Sequence, residues 1–250
     1  MEGFLNGLQW IFDPAHWSGT DGVPTRVLEH LQLSVISLLL ASLLALPVGV
    51  WIGHTRRWEF LATQSANVGR AIPSFAILSI VFLISVRAFP SLAFGFLPTI
   101  VALTLLGIPV ILINTYVGIQ QVDRDTVEAA RGMGMNGGQV LFRLEVPLAA
   151  ELIITGLRLA AVQIVATTGL AALVAGGALG RYIVDGIALQ DDPRVVAGAT
   201  LIAVLAIATD LAFSLLSRVV SPRLASRGPR RRIVKAPRFP RRPVESSALG

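Results

Sequence analysis

Cysteine is absent from this 250-residue chain, which excludes disulfides, thiolate nucleophiles and cysteine-ligated metals. Charge is scarce: Asp, Glu, Lys and Arg make up 14% of the residues, where a soluble domain carries about 25%. The three histidines, His16, His30 and His54, lie far apart and show no metal-ligand spacing. No G-x4-G-K-[ST] stretch is present, so a nucleotide would have to be handled by another chain. The cluster Gly176-Gly177-Ala178-Leu179-Gly180 lacks the lysine of a phosphate loop and reads as a tight bend before a short outer helix. No nucleophile, base and acid set is visible, which argues against a hydrolase. The first twenty residues, with Glu2, Asp13 and Pro14, have no basic leader region, so no cleavable signal peptide is expected.

Apolar sequence fills the space left by charge. Hydrophobic residues make up 54% of the chain, and about 20 consecutive apolar residues cross a bilayer as a helix. Five runs qualify: Val27 to Gly53, Val68 to Val86, Phe96 to Ile119, Leu148 to Ala175 and Val195 to Val220. They are continuous and rich in Leu, Ala, Ile and Val, unlike the short alternating strands of a barrel. The expected fold is therefore an all-α membrane protein with a five-helix core over residues 27–220. Residues 1–26 would form an extracytoplasmic or interfacial segment anchored by Trp10 and Trp17. Residues 221–250 are basic and Pro-rich, and are expected to be a disordered cytoplasmic tail resting on anionic headgroups.

The net charge of +6 follows the membrane rather than nucleic acid. Arg56, Arg57 and Arg70 cluster after the first run, Arg124, Arg131 and Arg143 after the third, and nine cations after Pro222. Arg26 and Arg87 are the poorer segments, and Arg181 and Arg194 are offset by Asp185, Asp191 and Asp192. All the richer segments share one side if the N-terminus is outside and the C-terminus cytoplasmic. Gly49-x3-Gly53 and the small residues Ala171, Ala172, Ala175, Gly176 and Gly177 suit close helix packing.

The loop from Asp123 to Pro147 reads DRDTVEAARGMGMNGGQVLFRLEVP. Asp123 or Asp125 can cap a short helix, with capping-box spacing from Asp125 to Glu128. Gly132 and Gly134 would end it, and Asn136-Gly137-Gly138 form a second break before Val140 restarts a helix. Val127, Ala130, Met133, Val140, Leu141 and Leu144 would give this helix–turn–helix one apolar side, with Ala129 and Ala130 small enough for close approach to a partner.

Glu128-Ala129-Ala130, three residues, Gly134, nine residues, then Leu144-x-Val146-Pro147 resembles the loop signature of ABC-importer permeases, E-A-A-x3-G-x9-I-x-L-P. Leu144 and Val146 are conservative departures from it. HLQLSVISLLLASLLALPVGVWIGH, IPSFAILS, LPTIVALTLLGIPVILINTYVGI and TTGLAALVAGGALGRYIVDGI further resemble permeases for glycine betaine, choline and related compatible solutes. Permeases for methionine and other amino acids share the same core, so both substrate classes stay open. The resemblance implies a MetI-like five-helix fold in a prokaryotic plasma membrane. It implies a second permease subunit, the same chain or a homologue, a cytoplasmic ABC ATPase dimer and an extracytoplasmic substrate-binding protein. ATP and Mg would sit on the ATPase, with no cofactor or metal on this chain. Glu128, Ala129, Ala130, Arg131, Gly132, Gly134 and Pro147 would form the ATPase-coupling element. An ATP-independent channel or secondary transporter is the competing reading, but it leaves the spaced loop motif unexplained, and the halves show no repeat.

Inside the runs, Arg158 and Asp210 each lie about ten residues from a cytoplasmic end and are candidates for an intramembrane ion pair. Snorkelling of Arg158, or pairing of Asp210 with Arg70, are the alternatives. Asn67, Ser74, Asn114, Thr115, Gln163, Thr167 and Thr168 are candidates for a translocation-path lining or for interhelical hydrogen bonds.

Overall fold

The computed structural model describes residues 2–60, 63–64, 67, 69, 72–174 and 176–220. Among these residues every regular element is helical. The basic tail 221–250, Arg70, Ala175 and the start of the second apolar run lie outside the described residues.

Apolar length decides the main elements. Helices α1 (Glu2–Phe12) and α2 (Val23–Thr55) come first, followed by α3 (Ser74–Ala88) and α4 (Phe96–Gln120). The loop then carries α5 (Arg124–Gly132), α6 (Gly137–Val140) and a π-helical turn, Leu141–Glu145. Helix α7 (Val146–Thr168) runs into a 3-10 segment, Gly169–Val174, and is followed by α8 (Gly180–Leu189) and α9 (Asp192–Val220). Four helical stretches are long and apolar enough to cross a membrane: Val23–Thr55, Phe96–Gln120, Gly137–Val174 and Asp192–Arg218. Helix α3 has 15 residues, about 22 Å of helix, which is short of a bilayer core by itself.

Helix α4 lies between α2 and α7. Ala41, Ala45 and Ile52 of α2, Ile111, Leu112 and Tyr116 of α4, and Ala160 of α7 share one core. In lipid the tails are as apolar as leucine, so helices associate through close packing rather than through escape from water. Glycine makes the closeness possible. A Cβ on Gly49 would lie 2.8 Å from Thr115 Cβ, and one on Gly53 would lie 2.6 Å from Ile119 Cβ. The small-residue spacing in α2 is thus the crossing with α4. On the other side of α4, a Cβ on Gly156 would lie 2.5 Å from Asn114 Cβ.

The opposite end of the bundle is closed by polar contacts. Arg26 pairs with Asp21 and, at 2.8 Å, with Glu29. Glu29 Oε2 also accepts from the Ala178 amide at 2.8 Å, a carboxylate approach that Gly177 allows by having no side chain. Ala178, with φ of 69°, takes the left-handed turn of the bend expected between the fourth run and α8. Tyr182 of α8 donates to the Asp21 carbonyl at 2.6 Å, and burial pushes its phenol up to about 12. Trp10 of α1 stacks on His16 and meets Tyr182 edge-on, which docks the N-terminal helix against this cap.

Candidate functional site

The loop between α4 and α7 is folded, and local chemistry explains each turn. Asp123 is the N-cap of α5, its side chain accepting from the Asp125 amide at 2.9 Å. The reciprocal capping box forms one helix later than expected: Asn136 Oδ1 accepts from the Gln139 amide, and Gln139 Oε1 accepts from the Asn136 amide, both at 2.9 Å. The Asn136-Gly137-Gly138 stretch is therefore a helix start, since its asparagine supplies the cap that a bare break would lack.

Helix α5 ends in a two-bond glycine cap. The Met135 amide donates to the Ala130 carbonyl at 3.1 Å and the Gly134 amide to the Arg131 carbonyl at 2.9 Å. Gly134 has φ of 88°, so it occupies the left-handed position this motif requires. Gly132 stays within the last helical turn.

The loop has its own small core. Val122, Val127, Ala130 and Val140 are buried together, with Met135 and Leu144 against them. This corrects two assignments made from the sequence. Ala130 is 3% exposed, so it packs inside the loop, whereas Ala129 faces outward. Met133, the C-cap residue of α5, is 79% exposed and is not part of this core. The outward face thus presents Glu128, Ala129, Arg131, Gly132 and Met133, with Phe142 exposed on the π-helical turn. Pro147 stands at the start of α7, directly after the π-helical turn.

Beneath this face lies a cleft of about 320 Å³ lined by His54, Arg56, Arg124, Glu128, Arg131 and Glu145, among others. Glu145 is buried and its Oε2 lies 2.5 Å from His54 Nδ1. Arg56 Nη2 donates to the Gln120 carbonyl at 3.5 Å. The His54–Glu145 contact was not foreseen. Its one sequence signal is a histidine at the end of an apolar run facing a basic loop, and pairing across 91 positions has no local signature.

Farther from the loop, the structure brings Arg158 and Asp210 together. Arg158 Nε donates to Oδ1 and its Nη2 to Oδ2, each at 2.6 Å, the two-bond geometry in which a planar guanidinium matches a carboxylate. The polar candidates divide. Thr115 and Thr168 are buried and donate to carbonyls of their own helices at 2.7 and 2.8 Å, and Asn114 does the same at 2.8 Å. Thr168 also meets Ser34 at 3.0 Å across the α2–α7 seam. Ser74 and Thr167 share a small cavity with Thr99. Asn67 and Gln163 are exposed. His30, unflagged by the sequence, is buried with Nε2 2.9 Å from the Val165 carbonyl.

A helical bundle of lipid-length spans joined by a capped loop defines a polytopic membrane protein. Residues 45–226 match the family described as "Binding-protein-dependent transport system inner membrane component". The chain belongs to this family and is a permease subunit of an ABC importer. It is 33% identical over 195 residues to the glycine betaine/carnitine/choline transport system permease protein OpuCB of Bacillus subtilis, covering 78% of this chain and 87% of that one. It is 32% identical to the choline transport system permease protein OpuBB of the same organism, covering 79% and 88%. It is 33% identical to the osmoprotectant import permease protein OsmY of Salmonella typhimurium, covering 78% and 80%. Its fold is shared with the inward-facing MetNI methionine ABC transporter at a TM-score of 0.70 and 21% identity, covering 83% of this chain and 98% of that one.

Proposed function

We propose that residues 123–147 are the coupling loop through which a separate cytoplasmic ABC ATPase drives this permease, and that the imported solute is a glycine betaine- or choline-type compatible solute. The observation that carries the coupling reading is the outward face of α5. Glu128, Ala129, Arg131 and Gly132 stand exposed on a helix fixed at both ends by caps and held from below by Val127, Ala130 and Val140. A partner gripping that face would move a rigid body. ATP and Mg would be held by the partner ATPase dimer, and an extracytoplasmic binding protein would deliver the solute.

The reading places five spans in the membrane, with α3 and the residues before it as the second, the N-terminus outside and the C-terminus cytoplasmic. Arg-rich segments on the side of α5 support that orientation. A second permease subunit is supported by Arg158 and Asp210, whose side chains stay 34% and 40% exposed on the single chain. Charges midway along apolar helices are costly against lipid, and a neighbouring subunit would cover them. The compatible-solute assignment rests on relatives whose names specify glycine betaine, carnitine and choline, whereas the methionine transporter shares the fold alone.

The test is reconstitution of the chain with its ATPase and binding protein in vesicles. ATP-dependent uptake of labelled choline or glycine betaine is expected, with no uptake of methionine. Methionine uptake without either of the others would reverse the substrate assignment, and uptake without ATP would favour a channel or secondary transporter.

A further inference from the structure

Glu145 closes the π-helical turn at the base of the loop, and its side chain is 7% exposed. A buried carboxylate needs a strong partner, and the partner is His54, in the last turn of α2. The other ring nitrogen of His54 faces the start of α6: a Cβ on Gly137 would lie 3.9 Å from Nε2. The imidazole therefore fits between the π-helical turn and the capped helix start. Two residues on, Arg56 ends α2 in a left-handed conformation with φ of 54° and reaches the last carbonyl of α4. The end of α2 is thus held by both α4 and the loop.

This arrangement has a mechanical consequence. Helix α2 has 33 residues with Pro47 inside it, and extends about 50 Å from the polar cap at Arg26 to the loop. Along the backbone, the loop reaches the bundle only by way of α4 and α7. The route to α7 passes through the π-helical turn, closed by a wide bond from the Val146 amide to the Leu141 carbonyl, a geometry less regular than an α-helix. A side-chain joint at that turn connects the loop to a third helix with no backbone link between them.

We propose that the His54–Glu145 contact is the joint that passes movement of the coupling loop into α2, with His54 and Glu145 as positioning residues of the transport cycle. The proposal rests on the reading of residues 123–147 as the coupling loop. The charged groups that share the cleft with the joint are Arg56, Arg124, Glu128 and Arg131. None of them is 2.5 Å from Glu145 as His54 is, so loss of the imidazole leaves the carboxylate without its close partner.

The test measures ATP turnover and solute uptake in parallel on the reconstituted transporter with its ATPase and binding protein. The variants are His54→Ala, Glu145→Ala, Glu145→Gln, the double alanine variant, and the exchange His54→Glu/Glu145→His. The alanine variants are expected to assemble and hydrolyse ATP with an unchanged KM, while uptake per ATP falls by about tenfold. The double variant should be no worse than either single one, and Glu145→Gln or the exchange should restore part of the loss. Unchanged uptake per ATP would overturn the proposal. So would a parallel fall in turnover, uptake and thermal stability without rescue, because that pattern describes a purely structural contact. Gly134→Pro in the same preparation separates the two levels: if that variant still couples, the coupling-loop reading itself fails.

Discussion

At Gly134 the backbone takes a φ of 88°, where any Cβ meets the following carbonyl at a cost of about 1–2 kcal/mol. Gly132, two residues earlier, is helical and has open space around its missing Cβ. Gly134→Ala should therefore destabilise the loop and lower coupled ATP turnover, while Gly132→Ala should be neutral or should favour the helix by up to about 1 kcal/mol. Thermal unfolding of the purified subunit, with ATP turnover of the assembled transporter, checks the contrast. The two alanines of the motif should separate as well. Ala130→Leu overfills the loop core at about 1–3 kcal/mol and should lower stability without any partner present. Ala129→Leu should leave the isolated subunit unchanged and weaken capture of the ATPase. The sequence placed both alanines on the same docking face. Which one points inward depends on the helical phase set by the Asp123 cap and on Val122 and Val140 packing beneath, neither of which is visible in a three-residue motif.

The packing of long helices was the most legible feature at the scale of the element. Apolar length located α2, α4, α7 and α9 because lipid admits few alternatives, and Gly49-x3-Gly53 marked a close crossing. The partner of that crossing, Thr115 and Ile119 on α4, was not legible, since helix spacing gives a face and no address. Gly156→Leu should force α4 and α7 apart at Asn114, with a large loss of thermal stability and of folded yield. The Arg158–Asp210 pair links α7 to α9 in the same bundle. Arg158→Leu or Asp210→Leu alone should lower yield by leaving one charge among apolar helices, and Arg158→Leu/Asp210→Leu should recover much of it. Yield in membranes and detergent stability would show whether the double variant is the milder one. At the opposite cap, the raised Tyr182 phenol pKa implies that its bond to the Asp21 carbonyl is fully present below pH 10 and weakens as pH rises toward about 12. Tyr182→Phe should abolish that alkaline dependence in pH-resolved unfolding.

For the whole molecule, the family was readable from one loop because its spacing reflects a physical requirement: a cap, a helix with one outward face, a left-handed glycine and a proline at the next helix start. The contacts that tie this loop to the bundle were not readable, because His54 and Glu145 meet only once α2 and α7 are folded. The polar candidates show the same limit. Hydroxyls in apolar runs suggested a path, yet Thr115 and Thr168 point into the bundle and satisfy carbonyls, a role that composition cannot distinguish from contact with solute. The account of the assembly depends on α5 meeting a motor protein in the cytoplasm. The most direct test is cross-linking at Met133, which is exposed, against Val140, which is fully buried. A Met133→Cys chain assembled with an ATPase whose single cysteine lies in its groove is expected to form a nucleotide-dependent adduct, and Val140→Cys is expected to form none. Labelling of Met133→Cys by an impermeant reagent from outside the cell, with no adduct to the ATPase, would contradict the account.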